Sequence, residues 1–322
     1  MATLLQSIKT LVDNITVTDK QEENILSSVN NITSTLESED KLYIKEIFLN
    51  GSYERDTNIR PLDDIDIFAV LNEEDWVDEY GNLPNPQSVL TKVKNYLDKD
   101  SDYQGKVKQD RPCVTVELSN KSFDVLPAFE FGEIGYHIPN YDLMSWIPSY
   151  PKTLSESLAT AHRNYSYKLK DIVKVIKYWN RLNNKLIPSF HIEEIAIKIV
   201  HFATFTNYEE AVRSWFTDAI THLEETKFKS SYEFENFIKK LEKSKLKIIE
   251  AKELLDSGLE IDAKKIWKDI FQKEFPIVDE EEAKNFSKSL TEGALKITQA
   301  GLLSTSMGKS VTASKGFYGD EI

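Results

Sequence analysis

A single cysteine, Cys113, occurs in 322 residues. One thiol excludes an internal disulfide and any zinc site built on cysteines. It suits a chain made for a reducing compartment, so the cytoplasm is the expected location. Long apolar runs are missing too: no stretch approaches the roughly 20 residues that a membrane span requires. The opening residues, MATLLQSIKTLVDNITVTDKQEENI, carry acids where a secretory signal has a basic and then an apolar stretch. Positive charge is scarce. Lys and Arg number 40 against 53 Asp and Glu, a net charge of −13. Binding to duplex nucleic acid draws much of its affinity from neutralised phosphates and leaves a basic footprint. The densest basic stretch, KKLEKSKLKIIEAK from Lys239 to Lys252, interleaves acids and reads as a solvated helix face. Neither a long nucleic acid nor a membrane is an expected partner. Small anionic ligands stay compatible, because they need only a local cluster of donors.

What is present is the composition of a soluble globular protein, 40% apolar and 29% charged. Residues 3–40 read as helical, with Leu4, Leu5, Ile8 and Leu11 at helical spacing. LYIKEIFLNGS reads as strand into turn, DDIDIFAVL as strand, and PNPQSVLTKVKNYLDKD as loop into helix. PCVTVELSNKSFDVLPAFEF reads as a β-hairpin or two successive strands, and GYHIPNYDLMSWIPSYPKTL as a connecting loop. From about Ser155 helix dominates, beginning with LATAHRNYSYKLKDIVKVIKYWNRLN. The expected architecture is α+β, a mixed-sheet half over 1–150 and a helical half over 151–300, with the seam near Pro148–Pro151. The Ser-, Thr-, Gly- and Lys-rich residues 301–322 are expected to form a flexible tail.

The stretch LNGSYERDTNIRPLDDIDIFAVL, Leu49 to Leu71, puts acidic residues at the mouth of an apolar strand. Side chains alternate along a strand, so Asp64 and Asp66 share one face while Asp63, Ile65 and Ile67 share the other. Two carboxylates that close repel, and their pKa values rise unless a cation lies between them. Mg2+, or alternatively Mn2+, suits such a pair, because it takes hard oxygen ligands and is held by one or two carboxylates plus substrate phosphates. Asp63 reads as a turn residue rather than a ligand. Gly51 and Ser52 offer a phosphate close backbone approach, an N–H and a hydroxyl. Asp124, in SFDVLPAF, is the third candidate carboxylate: an adjacent strand would bring it beside Asp64 and Asp66 to hold two ions.

These residues resemble a known family. GSYERDTNIRPLDDIDIF is similar to the Gly-Ser, gap, Asp-x-Asp signature of polymerase β-like nucleotidyltransferases, and FDVLPAF to their third-aspartate strand. VIKYWNRLNNKLIPSFHIEEIA resembles the oligoadenylate synthases and the bacterial CD-NTases. AKELLDSGLEIDAKKIWKDIFQKEFP and SKGFYGD resemble later parts of the CD-NTases, the cyclic-oligonucleotide synthases related to cyclic GMP-AMP synthase. The resemblance spans nearly the whole chain and implies a two-lobed fold. It also implies a metal-dependent enzyme that joins nucleoside triphosphates into a cyclic di- or oligonucleotide, releases pyrophosphate and serves antiphage signalling. Operon-encoded regulators and an effector that binds the product are the implied partners. Carried onto this chain, Asp64, Asp66 and Asp124 are metal ligands and catalytic, and Gly51, Ser52, Lys177 and Ser189 bind the triphosphate. A linear-oligonucleotide synthase, or a nucleotidyltransferase that modifies RNA or protein, is the alternative.

The residues themselves add to this. In DIVKVIKYWN the apolar face is Ile172, Val173, Ile176 and Trp179, with Lys177 beside it, so Lys177 is expected to be half-exposed and free to reach phosphate. Ser189 follows Pro188 and reads equally as a plain N-cap. Glu193 and Glu194 read as first-turn acids favoured by the helix dipole. His137 and His162 read as structural or surface residues. Tyr136, Tyr141 and Trp146 could stack on a base or pack in the core, and Asn164 is a candidate for base recognition.

Overall fold

Helix α1, Leu4–Ile15, and helix α2, Asp19–Glu37, open the chain. Thr18 starts α2 with a capping box shared with Gln21, which satisfies two otherwise orphaned backbone donors. In this computed structural model, residues 3–38, 41–119, 121–203 and 205–276 are described, together with the backbone of 296–297, 303–304 and 309–310. The expected tail over 301–322, those last two backbone pairs apart, and the SKGFYGD motif lie outside the described residues.

Strand β1 (Ile44–Asn50) leads through the short helix α3 (Gly51–Glu54) to β2 (Ile65–Leu71). Helix α4 (Pro86–Leu97) follows, with Asn85 as its cap and Pro86 in its first turn. Then come β3 (Val107–Asp110), β4 (Cys113–Leu118), β5 (Lys121–Phe131), β6 (Gly135–Pro139) and β7 (Trp146–Ser149). The sheet order is β1-β2-β5-β4-β3, with β6 paired to β5 and β7 paired to β6. Only β2 and β5 run parallel, so the sheet is mixed as expected. β3 has no counterpart in the sequence reading. The segment read as the loop GYHIPNYDLMSWIPSYPKTL instead carries β6 and β7, joined by four antiparallel pairs that include Tyr136 and Trp146.

Alternation in the strands divides the sheet into two faces. Ile65, Ile67, Ala69, Leu71, Val114, Val116, Phe123, Val125 and Phe129 lie on one face and pack under α2 and α4 in one core. Each such fully buried side chain contributes about 1.5–3 kcal/mol. The opposite face carries Phe68, Val70, Leu126 and Ala128, joined by Phe48 and Tyr136. Asp66 and Asp124 belong to this second face, one alternation before Phe68 and Leu126.

Five longer helices follow: α5 (Pro151–Asn164), α6 (Leu169–Leu182), α7 (Ser189–Phe202), α8 (Tyr208–Asp218) and α9 (Ser231–Asp256). The stretch read as one helix over 158–183 is two, because Ser166 and Tyr167 both take positive φ. Trp179 of α6 meets Trp215, Phe216 and Phe237 edge-on, with ring centroids 5.0–6.2 Å apart, and donates to Ser244 Oγ. Helix α10 (Glu260–Phe271) contributes Trp267 and Phe271 to a small aromatic stack. By packing, the chain divides into residues 11–245 and a second unit of residues 1–10 and 246–322. Everything in the site below belongs to residues 11–245.

Candidate active site

Parallel pairing sets Asp66 beside Asp124 at the same level of β2 and β5, and Thr115 of β4 stands opposite Asp124 on its other side. The Thr115 hydroxyl donates to Asp124 Oδ1 at 2.5 Å. The Ser122 hydroxyl donates to the Asp64 carboxylate. The Asp64–Asp66 face read from the strand period is therefore the face that also holds Asp124. Among the described residues, no three His, Cys, Asp or Glu side chains converge as closely as an ion requires.

Crowding shows in the electrostatics. Burial, and then the charge of Asp124, push the Asp66 carboxyl up to about 6 against the opposing charge of Arg55. Burial also raises Asp124, with the Thr115 hydrogen bond opposing and Asp64 adding to the rise. Gly51 has a φ of +72°, and a Cβ there would lie 1.8 Å from Asp66 Oδ2. Glycine is thus demanded twice, by backbone conformation and by close approach of a carboxylate. The donor set fits a hard divalent cation: two oxygen ligands side by side, held above their ordinary pKa first by burial and then by neighbouring carboxylate charge, with a third aspartate adjacent.

A cavity of about 340 Å³ lies alongside, walled by Ser52, Asp64, Lys177 and Ser189 among others. Gly51, Asp66 and Asp124 are not wall residues of this cavity. Ser189 is the first residue of α7 and Pro188 holds the cap position, so the plain N-cap reading does not hold.

Lys177 is not the half-exposed lysine expected from its place beside the apolar face. Helix α6 buries ten of the twelve side chains from Leu169 to Asn180, all but Lys170 and Asp171, so Lys174 and Lys177 are cut off from water and must find anions. Lys177 Nζ lies 2.6 Å from Glu193 Oε1 and donates to Thr57 Oγ1 at 2.8 Å. Arg55 Nε reaches Glu193 Oε2 at 2.7 Å. Thr57 donates to Glu193 Oε1, and its N–H donates to the Ser52 carbonyl. Burial lowers the Lys177 pKa, opposed by the charge and hydrogen bond of Glu193. Glu193 is fully buried, which corrects its reading as a first-turn acid. Glu194 accepts instead from His191 and Lys227.

Three residues in and beside this network escaped the sequence reading: Arg55, Thr57 and Asn180. Arg55 and Thr57 stand inside the GSYERDT stretch, and Asn180 follows Lys177 by three residues. The Asn180 amide donates to the Ile187 carbonyl and accepts from its N–H, fixing the turn that delivers Ser189. Asp63, read as a turn residue, is an exposed carboxylate that accepts from Arg181 at 2.8 Å and Lys185 at 2.6 Å. Burial works to raise its pKa, but these two cations outweigh that and hold it below the usual range.

The remaining candidates fall elsewhere. Tyr136 packs with Phe48 and Phe68, and Trp146 packs on Phe129 and donates to the Pro84 carbonyl. Tyr141 is exposed. His137 lies against Phe131, and His162 accepts from the Lys170 N–H. Asn164 lines a separate cavity with Tyr165 and His201.

Carboxylates on neighbouring strands of a mixed sheet, a Gly-Ser turn against them and a cation-lined cavity alongside define the fold class of the nucleotidyltransferases. Comparison with known proteins narrows this. Residues 1–164 match the family of Second Messenger Oligonucleotide or Dinucleotide Synthetase domains. The chain belongs to that family, the bacterial CD-NTases. It is 29% identical over 204 residues to a protein of Bacillus cereus named as a probable cyclic nucleotide synthase. It is 31% identical over 174 residues to the cyclic AMP-AMP-AMP synthase of an Acinetobacter species. These alignments cover 54% and 51% of this chain, and the chain spans 61% and 48% of the two relatives. CdnC of Escherichia coli MS115-1, solved with ATP, shares the fold. Its TM-score is 0.67 at 17% identity, over 85% of this chain and 99% of that one. It has also been solved in complex with HORMA-deltaN.

Proposed function

We propose that the protein is a metal-dependent nucleotidyltransferase that condenses nucleoside triphosphates into a cyclic di- or oligonucleotide and releases pyrophosphate. The observation that carries this reading is the register that sets Asp66 beside Asp124 on one face, with Gly51 packed against Asp66. The names of the two sequence relatives, both cyclic nucleotide synthases, favour a cyclic product over a linear one. The same inheritance suggests a role in antiphage signalling, with regulators and a product-binding effector as partners. CdnC's complex with HORMA-deltaN is a precedent for a regulator. No helix among the described residues is long and apolar enough to cross a membrane, which suits a cytoplasmic enzyme.

In the reaction, a ribose hydroxyl of one nucleotide attacks the α-phosphorus of another; a P–O bond forms, and the bond to the leaving pyrophosphate breaks. Asp64, Asp66 and Asp124 would hold Mg2+, which when bound supplies charge neutralisation and a more acidic attacking hydroxyl. Ser52 and Ser189, both in the cavity wall, present hydroxyls to the triphosphate. Lys177 adds positive charge to that wall while its ammonium ties α6 to Thr57 and Glu193. Thr115 and Ser122 orient the Asp124 and Asp64 carboxylates. The contribution of the chain is positioning and electrostatics, as phosphoryl transfer requires.

Incubation with all four labelled triphosphates and Mg2+, followed by phosphatase, tests the proposal. A labelled product that survives phosphatase is the expected result. A product that loses its terminal phosphate would mean a linear synthase, and no product would refute the enzyme assignment.

A further inference from the structure

One wall of the cavity carries hydrogen-bond donors that the fold leaves without partners. Arg181 lies one turn beyond Lys177 on α6 and donates to Asp63 through Nη2. Its Nη1 is buried and finds no hydrogen-bond partner among the described residues, and neither does Asn58 Nδ2. Both residues wall the cavity, as do Lys185 and Lys229. A buried, unpaired guanidinium N–H costs roughly 1–3 kcal/mol or more, so a fold that keeps two such donors in one cavity wall is keeping them for something that enters it. The chemistry of the set is specific. Arg and Lys side chains donate and do not accept, Asn58 Nδ2 is a further donor, and a guanidinium fork beside an ammonium matches a tetrahedral oxyanion. Asp63 is the anion now in that position. Its two oxygens take one Arg181 hydrogen bond and one Lys185 hydrogen bond, and its side chain is half exposed.

We propose that Arg181 and Lys185, with Asn58, form a subsite for the terminal phosphate of a nucleoside triphosphate, and that the Asp63 carboxylate holds this clamp until the phosphate displaces it. The subsite rests on the nucleotidyltransferase reading above. Asp63 is a weak competitor for the cations, since a carboxylate half exposed to water yields its partners at little cost, whereas a phosphate brings three acceptor oxygens and more charge. Displacement releases Asp63 one residue before Asp64. Occupancy of the clamp is thereby linked to the approach of the aspartate motif, and the clamp favours triphosphates over nucleotides with fewer phosphates.

Calorimetric titration of the full chain with inorganic tripolyphosphate and Mg2+ tests the clamp without a choice of base. The wild type should bind. The double variant R181Q K185Q should bind roughly tenfold or more weakly, the loss of charge-assisted contacts. D63N should bind more tightly than the wild type, because it removes the competing anion and keeps the shape. K185Q alone, at an exposed position, guards against misfolding of the double variant and should weaken binding severalfold. Wild-type affinity in R181Q K185Q or K185Q, or weaker binding in D63N, would overturn the clamp. If the wild type binds tripolyphosphate but makes no nucleotide product, the clamp stands and the function proposed above falls. If it makes product but does not bind tripolyphosphate, the clamp falls alone.

Discussion

Asp66 carries a large electrostatic tension, and its sign gives a direct prediction. Its folded-state pKa of about 6 lies above the ordinary 3.8, so between those values the native chain binds more protons than the unfolded one. The stability contributed by this group therefore falls as pH rises from about 4 to about 6 and stays lost above. In metal-free protein, Asp66→Asn should raise stability at pH 8 by a few kcal/mol and flatten the decline across that window, while abolishing product formation. Urea unfolding at several pH values checks it, and a variant less stable than its parent at pH 8 would contradict it. Burial and the charge of Asp124 supply most of this shift; the smaller repulsion from Asp64 was legible in the sequence, because strand parity alone places Asp64 and Asp66 on one face. The donors around them were not. Thr115 and Ser122 reach the carboxylates only through pairing between strands, and one residue of slip would have turned both away.

Helix α6 shows what happens when an element is buried on more than one side. Its apolar face of Ile172, Val173, Ile176 and Trp179 was readable from period alone, and all four side chains are buried. Burial of the rest of the helix depends on α7 and the loop after α3, which no local pattern reveals, so Lys177 read as half-exposed. Asp56, Glu193 and Asp63 are spaced along that loop and α7 to meet Lys174, Lys177 and Arg181. Removing one member of a buried ion pair strands the other. Lys177→Ala should therefore destabilise the protein by roughly 3 kcal/mol, in addition to weakening triphosphate binding. A denaturation midpoint equal to the wild type's would show that the ammonium is solvated in solution.

Charge governs the molecule as a whole. With a net charge of −13, the surface has little to offer a polyphosphate duplex. Adding long duplex DNA to the product assay should leave the rate unchanged, and a severalfold stimulation would reveal a basic track that composition conceals. The mixed sheet followed by helices was legible in the order of the motifs. The split of one long helical stretch at Ser166–Tyr167 was not, because positive φ at non-glycine residues leaves no compositional mark. The β2–β5 pairing has one more consequence. Partners across it are 58 residues apart in sequence, as Asp64 and Ser122 are, and the chain must close that loop before Asp66 and Asp124 meet. Parallel, non-local pairing forms slowly. During refolding, helix should therefore accumulate before any metal affinity appears, and the recovery of metal binding should follow the slow protection of the β2 and β5 amides from hydrogen exchange.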